Sequence, residues 1–186
     1  MKKSKNNFLK EFLKDSKTVG SVRPSSPALT KTMLNHINFN SAKIIVEFGP
    51  GTGVFTRKVI ENLKSDTAFF VFELHKPFFD LLQEEFSEFS NVHLINDSAL
   101  NIGKYITETE DSVDVIISSL PLSNIDNHIA NQILLISKQI IKPEGKFLQY
   151  QYSLNYRKRL KRIFKEVTTE FTLNNLPPAF VYSCTK

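Results

Sequence analysis

An α/β fold is what this sequence predicts: a mostly parallel seven-stranded sheet, helices on both faces, and a C-terminal antiparallel hairpin. Three observations predict it. Ile44-Ile45-Val46-Glu47-Phe48 is an apolar run too short for a buried helix, and it breaks on glycines at 49, 51 and 53 before a helical pattern opens at Val54. Beyond it, short apolar runs alternate with helical stretches, the pattern of a parallel sheet wound by crossover helices. The last two runs, 166–173 and 179–184, are joined by Asn174-Asn175-Leu176-Pro177-Pro178 and read as a hairpin.

Taken in order, the chain opens on a basic segment. Residues 1–31 hold eight Lys and Arg against Glu11 and Asp15, a local +6 in a chain whose total is +5, so the remainder is close to neutral. Such an excess points to an anionic surface, either a bilayer or a nucleic acid. On a helical wheel Phe8, Leu9, Phe12, Leu13 and Val19 fall within an arc of roughly 140°, with Lys10, Lys14 and Lys17 beside and opposite it. Two readings of this amphipathic helix stand side by side. It lies in a membrane interface with Lys3, Lys10 and Lys14 reaching anionic head groups, or it docks on the domain as an ordinary first helix. A break follows over 18–27, with one glycine and two prolines. Ser26 then caps a short helix whose first position is Pro27. Residues 1–41 are read as a helical extension and lid, and 42–186 as the main domain.

Within that domain the spacing predicts a helix over 54–63, a strand over 68–72 and a helix from Pro77 carrying Phe78, Phe79, Leu82 and Phe86. A strand over 92–95 runs into Asn96-Asp97-Ser98-Ala99. The next strand, 113–117, runs into Ser118-Ser119-Leu120-Pro121-Leu122. A helix over 125–141 is closed by a turn at Lys142-Pro143-Glu144-Gly145 before a strand over 146–152. Residues 156–165 form a second basic cluster, read as a solvated helix face or a further head-group contact.

Composition narrows the class. With 186 residues there is room for one domain with a full core, and 41% hydrophobic with 23% charged residues is ordinary for a globular protein. Cys184 is the single cysteine, so no internal disulfide forms. No apolar run is long enough to span a bilayer, and no apolar h-region follows the basic start. A cytoplasmic monomer is expected.

The chemistry sits in the glycine loop. Nicotinamide enzymes use G-x-G-x-x-G aimed at a pyrophosphate, but here the third glycine comes one residue early and Glu47 precedes the first by two. A carboxylate at that strand end suits a cationic ligand. Glu73 ends the second strand twenty residues beyond Gly53, where an acid can accept hydrogen bonds from both hydroxyls of a ribose. With these residues, Glu47 to Gly53 resembles the E-x-G-x-G-x-G motif of class I S-adenosylmethionine-dependent methyltransferases. The resemblance implies a Rossmann-like fold with S-adenosylmethionine as cofactor. It implies that Glu47, Gly49, Gly51, Gly53 and Glu73 bind that cofactor, with Asp97 reading its adenine amino group beside Ser98.

The acceptor is less marked. Ribosomal RNA adenine dimethylases carry Asn-Leu-Pro-aromatic after strand four, and here the match is Ser119-Leu120-Pro121-Leu122, without the amide or the ring. Together with 19–29, 47–56 and Asn175-Leu-Pro-Pro-Ala-Phe-Val-Tyr, that segment resembles the small bacterial phospholipid N-methyltransferases, with Ser118-Ser119 where Ser-Gly is frequent. This closer resemblance implies a peripheral enzyme on the inner face of the cell membrane that methylates phosphatidylethanolamine, its N-terminal amphipathic helix binding the anionic surface. Ser119, Leu120 and Pro121 then position the acceptor, with carbonyl oxygens near Leu120 and Pro121 orienting a neutral amine. His75 and His128 are proton acceptors by residue type only. Tyr150, Tyr152 and Phe180 either face a cationic product or fill the core. Nucleic acid stays open as a partner, since an RNA adenine methyltransferase and a non-catalytic lipid-surface module are the alternative functions. If the first helix lies on membranes, Phe12→Glu lowers vesicle binding and leaves cofactor affinity nearly unchanged in calorimetry; a joint loss of both would assign the helix to the core.

Overall fold

The computed structural model of the chain describes residues 25–106 and 112–186. The expected N-terminal membrane residues, Lys3, Phe8, Leu9, Lys10, Phe12, Leu13 and Lys14, lie outside them. Helix α1 (Pro27–Leu34) starts where Ser26 accepts a hydrogen bond from Leu29 N at 3.1 Å, with Pro27 filling a position that needs no N–H. Strands β1 (Ile44–Phe48), β2 (Ala68–Phe72), β3 (Val92–Ile95) and β4 (Val113–Ser118) match the predicted apolar runs to within a residue. Between them lie α2 (Val54–Ile60), α3 (Lys76–Phe86) and a 3-10 turn, Ala99–Lys104. Helix α4 (Asn127–Ile140), β5 (Ile141–Gln151), α5 (Arg157–Ile163), β6 (Glu166–Thr172) and β7 (Ala179–Thr185) complete the chain.

The seven strands form one sheet in the order β3-β2-β1-β4-β5-β7-β6. Strands β1 to β5 are parallel, and β7 runs antiparallel between β5 and β6. The chain winds outward from β1 to β3, returns to the centre for β4 and then winds the other way. That reversal opens a crevice at the carboxyl ends of β1 and β4, where doubly wound sheets bind their ligands.

Alternation along the strands splits the core in two. Val46, Phe48, Ile116, Phe147 and Tyr182 face α4 and α5, packing on Ile133, Leu134 and Leu160. Ile45, Phe69, Ile117, Leu148 and Val181 face α1 and α2, packing on Leu29, Met33, Phe55 and Val59. Cys184 is fully buried, and burial pushes its thiol pKa up, as expected of an inert side chain. Among the described residues no helix is long and apolar enough to cross a membrane.

Two boundaries differ from the sequence reading. Helix α2 ends at Ile60, three residues early, in a turn where Glu61 N donates to Arg57 O at 3.0 Å and Asn62 N to Val59 O at 2.9 Å. The expected turn at 142–145 is absorbed into β5, whose register against β4 jumps from Val113↔Ile141 to Val115↔Lys146. The jump needs a glycine: a Cβ on Gly145 would lie 2.8 Å from Asp114 O and 3.0 Å from Val113 O. Both obstacles are backbone and cannot swing aside. Gly145→Ala is therefore expected to lower unfolding free energy in urea titrations by about 2 kcal/mol.

Candidate active site

Glu47 occupies the β1 position that points to the α1 and α2 face, and it is completely buried. Its Oε2 accepts a hydrogen bond from the Thr56 hydroxyl on α2 at 2.7 Å. Oε1 has no partner among the described residues. Burial pushes the carboxyl pKa up to about 8 against the lowering effect of Thr56, and the nearby Glu73 adds to the rise. A buried carboxyl with one oxygen unmet is costly unless a donor or cation completes it.

The loop above it is shaped from both sides. Gly49 N donates to Phe72 O at 2.9 Å, carrying the β1–β2 ladder one residue past the strand. Gly49 has φ +66°, and a Cβ there would meet Leu120 Cδ2 at 2.8 Å, so the segment after β4 closes directly on the glycine loop. At Gly51, φ is +55° and a Cβ would meet nothing within 4 Å. This glycine faces open space on its side-chain side. Gly53 then starts α2 against Leu82 and Phe86 of α3.

Glu73, just past β2, is gripped by backbone: Gly51 N donates to Oε2 at 3.0 Å and His75 N to Oε1 at 2.8 Å. Burial raises its pKa and these two N–H bonds oppose the rise. Past β3, Asp97 accepts from Ser98 N and Asn101 Nδ2 on one oxygen, each at 2.7 Å, and from the Tyr105 hydroxyl on the other at 2.9 Å. The Asn101 amide foremost holds its pKa below the usual carboxylate value. Ser98 caps the 3-10 turn through Leu100 N. Glu47, the glycine loop, Glu73 and Asp97 thus line the carboxyl ends of three adjacent strands.

After β4 the chain turns tightly, and its carbonyls are spoken for. Leu120 O accepts from Leu122 N at 2.8 Å, Gln149 Nε2 at 3.1 Å and Gln151 Nε2 at 3.3 Å. Pro121 O accepts from Asn124 N at 2.7 Å, and Leu122 O from the Tyr156 hydroxyl at 2.5 Å. The oxygens of Leu120 and Pro121, expected from sequence to meet the acceptor, are thus engaged in shaping the turn. Leu122 is wholly buried.

Register also separates the aromatic residues that sequence grouped. Tyr150 pairs with Val181 and packs on the α1 and α2 face with Tyr152, whose ring is 5.9 Å away, whereas Phe180 pairs with Gln151 and lies on the other face. Burial drives the Tyr150 phenol up to about 12, so it stays neutral, with Ser25, Tyr152 and Ser119 as its polar neighbours. His128 is exposed on the first turn of α4, and His75 heads α3 beside Glu73. Sequence reasoning missed Thr56, Tyr105, Tyr156, Gln149 and Gln151. The two glutamines leave a signal, being alternate polar residues in an apolar strand.

The sequence matches the ribosomal RNA adenine dimethylase family over residues 1–164. This chain belongs to that family. Its relatives within reach of sequence differ in what they are named for. An ornithine lipid N-methyltransferase of Singulisphaera acidiphila is 30% identical over 95% of this chain and 93% of its own length. A ribosomal RNA small subunit methyltransferase A of a Sulfurihydrogenibium species is 27% identical over 59% of this chain and 42% of its own. Among solved structures, a precorrin-6y C5,15-methyltransferase of Geobacter metallireducens superposes with a TM-score of 0.69 at 13% identity, covering 85% of this chain and 88% of that one. An S-adenosylmethionine-dependent methyltransferase of Aquifex aeolicus gives 0.58 at 13%, covering 84% and 89%. These two likenesses establish the fold.

This member of the dimethylase family is a methyltransferase, and its methyl donor is S-adenosylmethionine. The residues present fit such a ligand. Glu47 Oε1 lacks a donor, nothing lies within 4 Å of where a Cβ on Gly51 would stand, and Glu73 is held in place by two N–H groups.

Glu47 sets a pH dependence whose sign follows from its shift. In the unliganded fold the carboxyl keeps its proton to about pH 8, while the unfolded chain releases it near 4.5. Its contribution to stability is full below pH 4.5 and is lost as pH rises to about 8. Relative to Glu47→Gln, the free protein should lose on the order of 4 kcal/mol across that window in urea titrations. Adding S-adenosylmethionine at pH 8 should restore part of it in the wild type and little in the variant.

Proposed function

We propose that the chain transfers methyl groups to the amine of a membrane-lipid head group, with phosphatidylethanolamine as the acceptor to test first. The observation that carries this reading is Leu122. RNA adenine enzymes place an aromatic ring at this position to stack on the base, and stacking contributes on the order of 1–3 kcal/mol per base. Here the side chain is an aliphatic one buried in the core, with nothing to offer a base. The near end-to-end likeness to a protein named for a lipid acceptor supports the same reading. So does the basic, amphipathic pattern of residues 1–31.

In this proposal Glu47 and the loop of Gly49, Gly51 and Gly53 bind the amino-acid end of the cofactor, Glu73 its ribose, and Asp97 with Ser98 its adenine. Bound there, S-adenosylmethionine supplies an electrophilic methyl group on a sulfonium, which needs no nucleophilic side chain from the protein. The protein's task is to orient a neutral amine, because an ammonium has no lone pair. Partial burial at the crevice lowers the amine's pKa. With the Leu120, Pro121 and Leu122 carbonyls engaged in the turn, the Ser119 carbonyl is the acceptor for an amine N–H. Leu120 and Pro121 hold that carbonyl in position. Gln149 and Gln151 hold Leu120 in turn.

The RNA adenine reading keeps one observation in its favour, the family match itself. One experiment separates the two. Purified protein is incubated with labelled S-adenosylmethionine and, in parallel, vesicles of phosphatidylethanolamine, vesicles of ornithine lipid, and ribosomal RNA. Label is expected in lipid; label confined to RNA would overturn the proposal. Within the lipid assay, Gln149→Leu should lower kcat by tenfold or more and leave cofactor affinity within twofold, since it loosens the acceptor loop without touching the glycine loop.

A further inference from the structure

Single exposed leucines are ordinary on a protein surface, but a set gathered round one opening marks a place of contact. The fold gathers such a set. Leu74, 70% exposed, directly follows Glu73 at the end of β2, and Leu154, 46% exposed, lies three residues past the end of β5. Phe171, Leu173 and Leu176, exposed by 53, 71 and 64%, sit at the end of β6 and in the β6–β7 turn. The antiparallel register, with Phe180 opposite both Gln151 and Phe171, returns that turn to the edge where the parallel strands end. Residues far apart in sequence thus stand on the same edge as the glycine loop and Ser119.

The turn is built to hold its leucines out. The Asn175 side chain is buried, donating to Pro177 O at 2.7 Å and accepting from Ser26 N at 2.9 Å. The rings of Phe171 and Phe180 pack with centroids 4.7 Å apart. Leu173 and Leu176, on either side of this anchor, have been left in water.

We propose that Leu74, Leu154, Phe171, Leu173 and Leu176 form an apolar rim that seats the carboxyl edge of the sheet on an anionic phospholipid bilayer. The proposal rests on the lipid reading above and deepens it by naming the docking surface. The occupant is a bilayer because four of the five rim side chains are leucines and the one ring, Phe171, is packed on Phe180, whereas an RNA site would present free rings for stacking. Charge complements it: Arg157 and Lys158 are exposed just beyond Leu154, and no acid occurs from 153 to 165. Seated this way, the crevice meets the head-group layer while the acyl chains stay in the leaflet.

The test uses the full chain with vesicles of equal phosphatidylethanolamine and phosphatidylglycerol. The paired substitution Leu173→Ser with Leu176→Ser should reduce vesicle binding and methyl transfer to vesicle lipid by tenfold or more. Transfer to the same lipid in detergent micelles and affinity for S-adenosylmethionine should stay within twofold. Undiminished vesicle binding would overturn the proposal. A second measurement is independent of that variant's folding: an environment-sensitive fluorophore carried on Leu176→Cys, the native Cys184 being buried, should shift to the blue when vesicles are added. An unmoved spectrum, or a shift caused by RNA instead, would also overturn it. If the probe moves while no lipid is methylated, the docking surface stands and the lipid-acceptor reading fails. If lipid is methylated while the probe is still, the reverse holds.

Discussion

Everything at this site depends on a carboxyl group in the core beneath the glycine loop. Glu47 is shielded from water on every side, bonded through one oxygen to Thr56 and unmatched at the other. A charge in that position is unfavourable until a cation shares it, and a protonated carboxyl there is a poor partner for one. In the proposed site a cationic ligand and a proton compete for the same group. The strand that carries it is interior to the sheet, β1 being paired with β2 on one edge and β4 on the other.

The second constraint is the near-contact of two loops. A Cβ on Gly49 would lie 2.8 Å from Leu120 Cδ2, so the tip of the Leu120 side chain rests on the glycine loop. Strand β5 enforces this from below, since Gln149 and Gln151 point to the same face and both reach the Leu120 carbonyl. Tyr156 closes the far side of the turn and ties it to the start of α5.

Much of the fold was legible because local signals agreed. Ile44–Phe48, Ala68–Phe72 and Val92–Ile95 are apolar runs fenced by turn residues, and each became the strand predicted. The course of β5 through 142–145 was not legible, because Pro143 and Gly145 look like a break while the strand survives there as an irregularity in register. Among candidate site residues, those tied to the glycine spacing could be named in advance, since a short loop places them. Thr56 escaped notice because a threonine inside a helix carries no signal of what it touches. Tyr150, Tyr152 and Phe180 were grouped by type, and the pairing of β5 with β7 divides them.

The chain by itself determined the strand–glycine–helix unit, the alternation that winds the sheet, and the identity of the two acids flanking the loop, because each depends on neighbours within a few residues or on a fixed period. Only the tertiary structure decided which carbonyls after β4 are engaged in the turn, that Glu47 lacks a partner on one side, and that leucines from three distant segments share one edge of the sheet. Those facts depend on register and on close approach between strands. Side-chain contacts across a sheet are set by which residues the pairing brings opposite each other, and no local pattern encodes that.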